Sequence, residues 1–282
     1  MPELPEVETV KRGLAPVMEG AKFARVHVRR PDLRKPFPKD MGKRLKGAEV
    51  LRVGRRSKYL LVDTSRGETL IWHLGMSGRV RIYAPDDEVE PTGKHDHVQF
   101  DLDNGVVIVF TDPRRFGLMV MCQTDELQDH PLIKIIGPEP IGNAFSGPVL
   151  AERIKGKSQA IKQAIMDARV VCGVGNIYAS ESLFRAGISP KRKAGTVQGG
   201  RAEKLVSAIK VVLDEAINSG GSSLRDHRTT DGELGYFQHN FAVYDREGQA
   251  CPGCDCDISM TKGIQRLEQG GRSTYYCPRK QR

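Results

Sequence analysis

The sequence predicts an α+β protein of more than one domain, and three observations carry that reading. Short β-branched or alternating runs, punctuated by Gly, Pro and Asp, fill residues 22–122; apolar residues at helical spacing dominate after residue 148; and a Gly-Gly turn lies near the C-terminus. Strands at that density point to an antiparallel sandwich or barrel. The 282 residues suffice for two domains at the usual size of about 100–200 residues each.

The first element is a helix from about Pro5 to Met18, because Val7, Val10, Leu14, Val17 and Met18 fall on one face. Pro5 suits its first turn, where the missing N–H costs nothing. Strands are expected at Ala24–Val28, Val50–Val53, Tyr59–Asp63, Thr69–His73, Arg79–Tyr83, His97–Leu102, Val106–Thr111 and Leu118–Met121. Pro131, Gly137, Pro138 and Pro140 then mark a boundary. Gln159–Val171 reads as one helix, and Ile177–Ala186 as a second closed by Gly187 and Pro190. Arg201–Asn218 is a third, with Leu205, Val206, Ile209, Val212, Leu213 and Ala216 as its apolar stripe and Gly220-Gly221 as its stop. Strands are expected again from Phe241, ending in a hairpin that turns at Gly270-Gly271. The expected division is therefore 1–130, a linker at 131–148, a helical domain at 149–240 and a hairpin module at 241–282.

Apolar residues make up 39% and charged residues 28%, a balance of a globular protein and not of a disordered or membrane one. No apolar run approaches the roughly 18 residues of a transmembrane helix, and the Met-Pro-Glu-Leu-Pro-Glu start lacks the pattern of a signal peptide. A cytoplasmic protein is expected, monomeric and without membrane attachment. The net charge of +9 is concentrated: residues 151–200 carry nine basic and three acidic side chains, and residues 251–282 carry six and three. Clustered positive charge suits a polyanion, above all nucleic acid, because neutralising phosphates releases condensed counterions. Of six cysteines, Cys251, Cys254, Cys256 and Cys277 fall in the last 32 residues. Without a secretion signal, that clustering points to a metal site more than to disulfides.

Several residues bear on chemistry. Removal of Met1 would expose the secondary amine of Pro2, whose reference pKa of about 8 leaves it partly neutral. The positive end of the following helix favours the neutral form further. A neutral amine is a nucleophile toward an electrophilic sugar carbon, and Glu3 stands beside it as a proton donor and acceptor, with Glu6 one step further. Gly173-Val174-Gly175-Asn176-Ile177-Tyr178 lacks the third glycine and the preceding strand of a dinucleotide-binding turn. It reads as a tight corner between two helices, with Asn176 where free backbone N–H groups could bind a phosphate. His95 and His97 flank Asp96 on an expected strand and would share a face, yet no further ligands lie near, so a structural role is favoured over a metal.

Taken together, Met1–Val10, Arg55-Arg56-Ser57-Lys58-Tyr59, His73-Leu74-Gly75-Met76-Ser77-Gly78, Thr111–Gly117, Gly173–Tyr178 and Gln269–Thr274 resemble the motifs of bacterial formamidopyrimidine-DNA glycosylase. The resemblance runs over essentially the whole chain. Leu4, and the segment beyond Glu6, favour this branch over the related endonuclease VIII group. It implies a base-excision repair enzyme, glycosylase and abasic-site lyase, that removes oxidised purines from double-stranded DNA and associates with the nucleoid when on DNA. The implied fold is an N-terminal β-sandwich, a helix–two-turn–helix domain and a hairpin finger. The implied catalytic set is Pro2, Glu3 and Lys58. Lys162, Asn176 and Arg272 match phosphate-gripping residues, His73 joins them as a DNA contact, and Met76, Arg114 and Phe116 match the side chains that fill the void left by an extruded base. Residues Arg225 to Phe237 match the loop covering that base.

The resemblance also implies a zinc ion bound by two Cys-x-x-Cys pairs. Here Cys251, Cys254 and Cys277 hold three of those positions and Lys280 the fourth, while the segment Asp255–Lys262 is longer and contributes Cys256. Either Cys256 completes a four-thiolate site, or the finger is metal-free and held by packing. A rival to catalysis is a DNA-binding protein of the same fold, since a retained Met1 would turn the Pro2 nitrogen into an unreactive amide.

Overall fold

The structure is a computed structural model that describes residues 2–222, 235–255 and 257–282. The chain divides into two compact units, Met1–Lys134 with Ser219–Tyr236, and Ile135–Asn218 with Phe237–Arg282.

The first unit opens with α1 (Leu4–Met18), which buries Val7, Val10, Leu14 and Met18 as one stripe. Eight strands follow: β1 (Phe23–Val28), β2 (Val50–Arg56), β3 (Tyr59–Thr64), β4 (Glu68–His73), β5 (Arg79–Tyr83), β6 (Asp96–Leu102), β7 (Val107–Thr111) and β8 (Leu118–Gln123). They form two antiparallel sheets in the orders β1-β6-β7-β5 and β2-β3-β4-β8, the sandwich that the alternating runs predict. Trp72 of β4 joins the sheets, its ring centroid 5.8 Å from Phe100 and 5.1 Å from Phe110 on the opposite sheet. A short helix α2 (Met41–Leu45) interrupts the strand region; one turn is too short to show a helical period. Helix α3 (Pro131–Lys134) ends this part of the chain.

The second unit holds α4 (Gly147–Ile154), α5 (Ile161–Met166), α6 (Asn176–Ala186), α7 (Gly200–Asn218), α8 (Ile258–Thr261) and the hairpin β9 (Gln265–Gln269) with β10 (Arg272–Tyr276). The six stripe residues of α7 are all buried, and α6 stops at Gly187, whose φ of 70° is left-handed. Gly270 and Gly271 have φ of 57° and 71° between the paired Gln269 and Arg272, the two-residue turn that needs two positive φ angles.

Two expectations need correction. The helix expected over Gln159–Val171 covers only Ile161–Met166. On one side Ala160 pairs with Lys193 as a β-bridge; on the other the Asp167 carboxylate accepts the Arg169 backbone N–H, a local bond that competes with helix continuation. Strands also do not resume at Phe241, since turns and α8 precede β9. The stretch after Phe241 is organised by one carboxylate instead. Glu181 on α6 is buried and accepts the N–H groups of Ala242, Val243 and Tyr244 at 2.9, 3.0 and 2.8 Å. Burial drives its pKa up, against the opposing pull of those three bonds.

Glu181→Ala should therefore lower stability by more than about 3 kcal/mol, because each orphaned buried N–H costs roughly 1–3 kcal/mol. Glu181→Gln, which keeps a carbonyl acceptor, should lose less. Urea denaturation of the two variants beside the unaltered protein measures both effects.

Candidate active site and nucleic-acid interface

Residues 2–7 are buried at the head of α1. Glu3 is the N-cap, and its backbone N–H donates to Glu6 Oε2 at 2.8 Å, one half of a capping box. The other oxygen of Glu6 accepts the Ser222 N–H at 2.8 Å and the Ser222 hydroxyl at 3.1 Å. Glu6 thus joins the head of α1 to the stem of the segment 223–234, a stem also closed by the Ser222–Tyr236 bridge. Gly221 has a φ of 82° and lies so close to Glu6 that an added Cβ would stand 3.0 Å from Oε1. Pro2, Glu3 and Glu6 are therefore brought together. Met1, and residues 225–234 of the expected covering loop, lie outside the described residues.

Lys58 sits in the two-residue turn between β2 and β3, where Arg56 pairs with Tyr59. The turn is made by Ser57, with a left-handed φ of 56°. Tyr59 in turn packs on His73 with ring centroids 5.0 Å apart. His73 Nδ1 accepts the Gly75 N–H at 2.9 Å, which leaves Nε2 as the donor of the neutral ring. Burial, then the positive charges of Lys58 and Arg34, lower its pKa to about 4 against the pull of Asp112. At pH 7 His73 is a neutral donor.

Met76 and Phe116 are exposed, at 38% and 43%, where most large apolar residues of this unit are buried. Two loops carry them, and one buried carboxylate joins the loops. Asp112 Oδ1 accepts the Ser77 hydroxyl at 2.6 Å and Oδ2 accepts the Gly117 N–H at 2.7 Å, while Ser77 Oγ accepts the Arg114 N–H at 3.2 Å. The loops touch where Gly75 meets Phe116 and Gly117: a Cβ on Gly75 would lie 2.3 Å from the Gly117 nitrogen. The Arg114 guanidinium lies 5.2 Å from the Phe116 ring centroid. Met76, Arg114 and Phe116 are thus presented by one braced pair of loops.

In the second unit Lys162 is 1% exposed. Its Nζ donates to Asn176 Oδ1 at 2.6 Å, Thr274 Oγ1 at 2.7 Å and the Ser273 carbonyl at 3.1 Å, and Asn176 Nδ2 donates to the same carbonyl at 3.0 Å. The ammonium has three donors, and with Nζ engaged by these oxygens and the side chain 1% exposed, Lys162, expected from the resemblance to grip a phosphate, is turned inward on the protein instead. Asn176 is the first residue of α6, after Gly175 as N-cap, as expected, but α5 ends at Met166, so turns over residues 167–175 join the two helices in place of a tight corner. Arg272 is exposed at the turn end of β10.

The sulfurs of Cys251, Cys254 and Cys277 lie within 4.8 Å of one another, with Cys251 to Cys254 at 3.1 Å and Cys254 to Cys277 at 3.6 Å. Zinc–sulfur bonds of about 2.3 Å in a tetrahedron place sulfurs about 3.8 Å apart, so this cluster has the size to hold a metal ion. Cys254 is disulfide-bonded, so ligation through it requires the reduced form. Lys280 is no ligand, because its ammonium offers donors and no acceptor: its Nζ stands 4.1 Å from the centroid of the Phe184 ring and close over Gly253, where an added Cβ would lie 2.2 Å from it. Cys256 lies outside the described residues.

His95 and His97 do not share a face. His95 is exposed in the turn before β6, which starts at Asp96, and His97 is buried at a register shift between Asp96 and Val98. His97 Nε2 pairs with the Asp112 carbonyl oxygen at 2.8 Å, a structural role. Sequence reasoning missed Asp112 and Glu181 as organising carboxylates. Glu181 carried a signal, since it falls at helical spacing from the buried Ile177, Tyr178 and Phe184.

Comparison with known proteins places this geometry. Residues 1–119 match the model of the formamidopyrimidine-DNA glycosylase N-terminal domain, and residues 136–228 that of the formamidopyrimidine-DNA glycosylase H2TH domain. The formamidopyrimidine-DNA glycosylase of Rhodospirillum rubrum is 55% identical over 282 residues, covering 100% of both chains; that of Dinoroseobacter shibae is 53% identical over 289 residues, again with 100% of both covered. Among solved structures, the MutM (Fpg) protein of Thermus thermophilus matches with a TM-score of 0.86 and 38% identity, over 99% of this chain and 98% of its own. Lactococcus lactis Fpg in complex with abasic-site DNA matches with a TM-score of 0.88 and 31% identity over 99% of each. With both domain models matched and relatives more than half identical over their full length, the chain belongs to the formamidopyrimidine-DNA glycosylase family.

Proposed function

We propose that this protein is a bifunctional DNA glycosylase and abasic-site lyase of base-excision repair, acting on oxidised purines such as 8-oxoguanine and formamidopyrimidines in double-stranded DNA. The observation that carries the reading is the buried head of α1, where the Glu6 carboxylate holds the Glu3 backbone N–H and Pro2 lies buried next to it in the chain. Once Met1 is removed, the Pro2 nitrogen attacks C1′ of the damaged nucleotide as the bond from C1′ to the base breaks. Glu3 protonates the opening sugar oxygen and shuttles protons. The resulting Schiff base between Pro2 and C1′ activates the sugar for β- and δ-elimination of the flanking phosphates. The division of labour follows the expected domains, 1–130 for catalysis, 149–240 and 241–282 for DNA binding, with 131–148 between them, except that Ser219–Tyr236 belongs to the first unit, where Ser222 bonds Glu6.

Lys58 and His73 contact phosphates near the lesion, His73 as a neutral Nε2 donor. Met76, Arg114 and Phe116 fill the space vacated by the extruded base, which their exposure on braced loops supports. Asn176 offers the N-terminus of α6 to a phosphate, Arg272 offers its guanidinium, and Lys162 holds Asn176 and β10 in register from beneath. The protein acts as a monomer in the cytoplasm, on the nucleoid when bound. Among the described residues no helix is long and apolar enough to cross a membrane. One Zn2+ per chain sits on Cys251, Cys254 and Cys277 in their reduced form, with Cys256 as fourth ligand, and its part is to fix the hairpin.

Borohydride should trap a covalent complex between the Met1-processed protein and a duplex carrying 8-oxoguanine, with peptide mapping placing the link at Pro2. Glu3→Gln should bind that duplex normally yet excise at least about 100-fold more slowly, the usual scale of general acid–base catalysis. A link at Lys58, or wild-type excision by the variant, would refute the assignment. For the interface, Arg272→Ala should reduce the slope of log affinity against log salt by about 0.9 in magnitude, the value for one phosphate contact; an unchanged slope would remove Arg272 from the interface. For the finger, elemental analysis of reduced, chelator-washed protein should find close to one zinc per chain, and Cys256→Ser should lose it. A folded, active, zinc-free protein would show that packing alone holds the hairpin.

A further inference from the structure

Arg55, on β2, links two elements that both bear on the reaction. Its Nε donates to Glu8 Oε2 at 2.8 Å, and its Nη1 donates to the Ser57 carbonyl oxygen at 2.9 Å. Glu8 lies on α1, the helix whose head carries Pro2 and Glu3; Ser57 makes the turn that carries Lys58. The pair is mostly enclosed, with side chains 10% and 14% exposed. The remaining Glu8 oxygen takes the Arg12 Nε at 3.1 Å and the Lys11 ammonium at 3.6 Å. Burial pushes the Glu8 carboxyl up, but the bond and charge of Arg55, with Lys11 and Arg12, hold it below its ordinary range.

The turn needs such a brace. Ser57 holds a left-handed φ of 56° without being glycine, a conformation that persists only where the surroundings fix it. The Arg55 bond to the Ser57 carbonyl fixes the peptide plane leading directly into Lys58. A planar guanidinium can serve a carboxylate and a carbonyl in different directions at once, which a single ammonium on a flexible stem does poorly.

We propose that Arg55, locked by Glu8, is the positioning residue for Lys58: it ties the turn that presents the lysine to the helix that presents Pro2 and Glu3. The inference rests on reading Lys58 as a DNA contact of the active site. Arg55 itself touches no reacting atom.

A double-mutant cycle on single-turnover excision of 8-oxoguanine tests it, using Arg55→Lys, Lys58→Ala and the two combined. Arg55→Lys should slow excision about tenfold in the wild-type background. In the Lys58→Ala background, already slowed tenfold or more, it should slow excision less than twofold further, because there is no lysine left to misplace. Its effect on the melting temperature should be the same in both backgrounds. Glu8→Gln should show the same pattern with a smaller loss, and it serves as the second variant if Arg55→Lys folds poorly. Full multiplication of the two rate losses, with Lys58→Ala itself slow, would overturn the positioning role and leave Lys58 in place. Wild-type excision by Lys58→Ala would overturn the reading of Lys58 and the positioning role together.

Discussion

Everything in the first unit hangs on the Glu6 carboxylate. Chain termini fray unless something ties them down, yet the proposed nucleophile is the second residue of the chain. Glu6 solves this by accepting from three donors on two segments, the Glu3 N–H on one side and the Ser222 N–H and hydroxyl on the other. Leu4, fully buried beside it, supplies the apolar anchor. The head of the helix is thereby tied down, so that an amine there can meet a sugar carbon in a defined geometry, a condition on which much of the rate of such reactions rests.

Lys162 does for the second unit what Glu6 does for the first, with the opposite charge. A buried ammonium is costly unless its donors are met, and here a side-chain amide, a hydroxyl and a main-chain carbonyl meet them, drawn from α6 and β10. These are charge-assisted bonds, and together they tie α5, α6 and the hairpin to one arrangement. Glu181 adds a second tie by fixing Ala242–Tyr244 to α6.

Much of this was legible in the sequence, for reasons that differ by element. The strands of the sandwich were readable because some, such as β3, alternate between a core face and a half-buried one, while others, such as β4, are short apolar runs bounded by turn residues, and the Gly270-Gly271 turn because only glycine accepts two successive left-handed residues cheaply. Helix α5 was overestimated, since apolar spacing continues through Val170 and Val171 while the chain leaves the helix at Asp167. The paired histidines misled because β6 starts only at Asp96, and a β-bulge is invisible to a period of two. Of the candidate site, the residues near the N-terminus, Asn176 at its helix start and the clustered cysteines were visible as chemistry, the rest only through resemblance to a family. What no pattern disclosed was the set of ties, Glu6 to Ser222, Asp112 to Ser77 and Lys162 to Ser273, because pairings between residues distant in sequence leave no local trace.

The contact between Gly75 and the Phe116–Gly117 backbone has a consequence for how such a protein can change. With no room for a single methyl group between them, and with Asp112 bonded into both, residues 74–78 and 112–117 form one mechanical part. Neither loop can be lengthened, shortened or borrowed from a relative while the other stays as it is. Variation in what the tips carry is confined to side chains that point outward, Met76, Arg114 and Phe116, and any larger redesign has to transplant both loops at once.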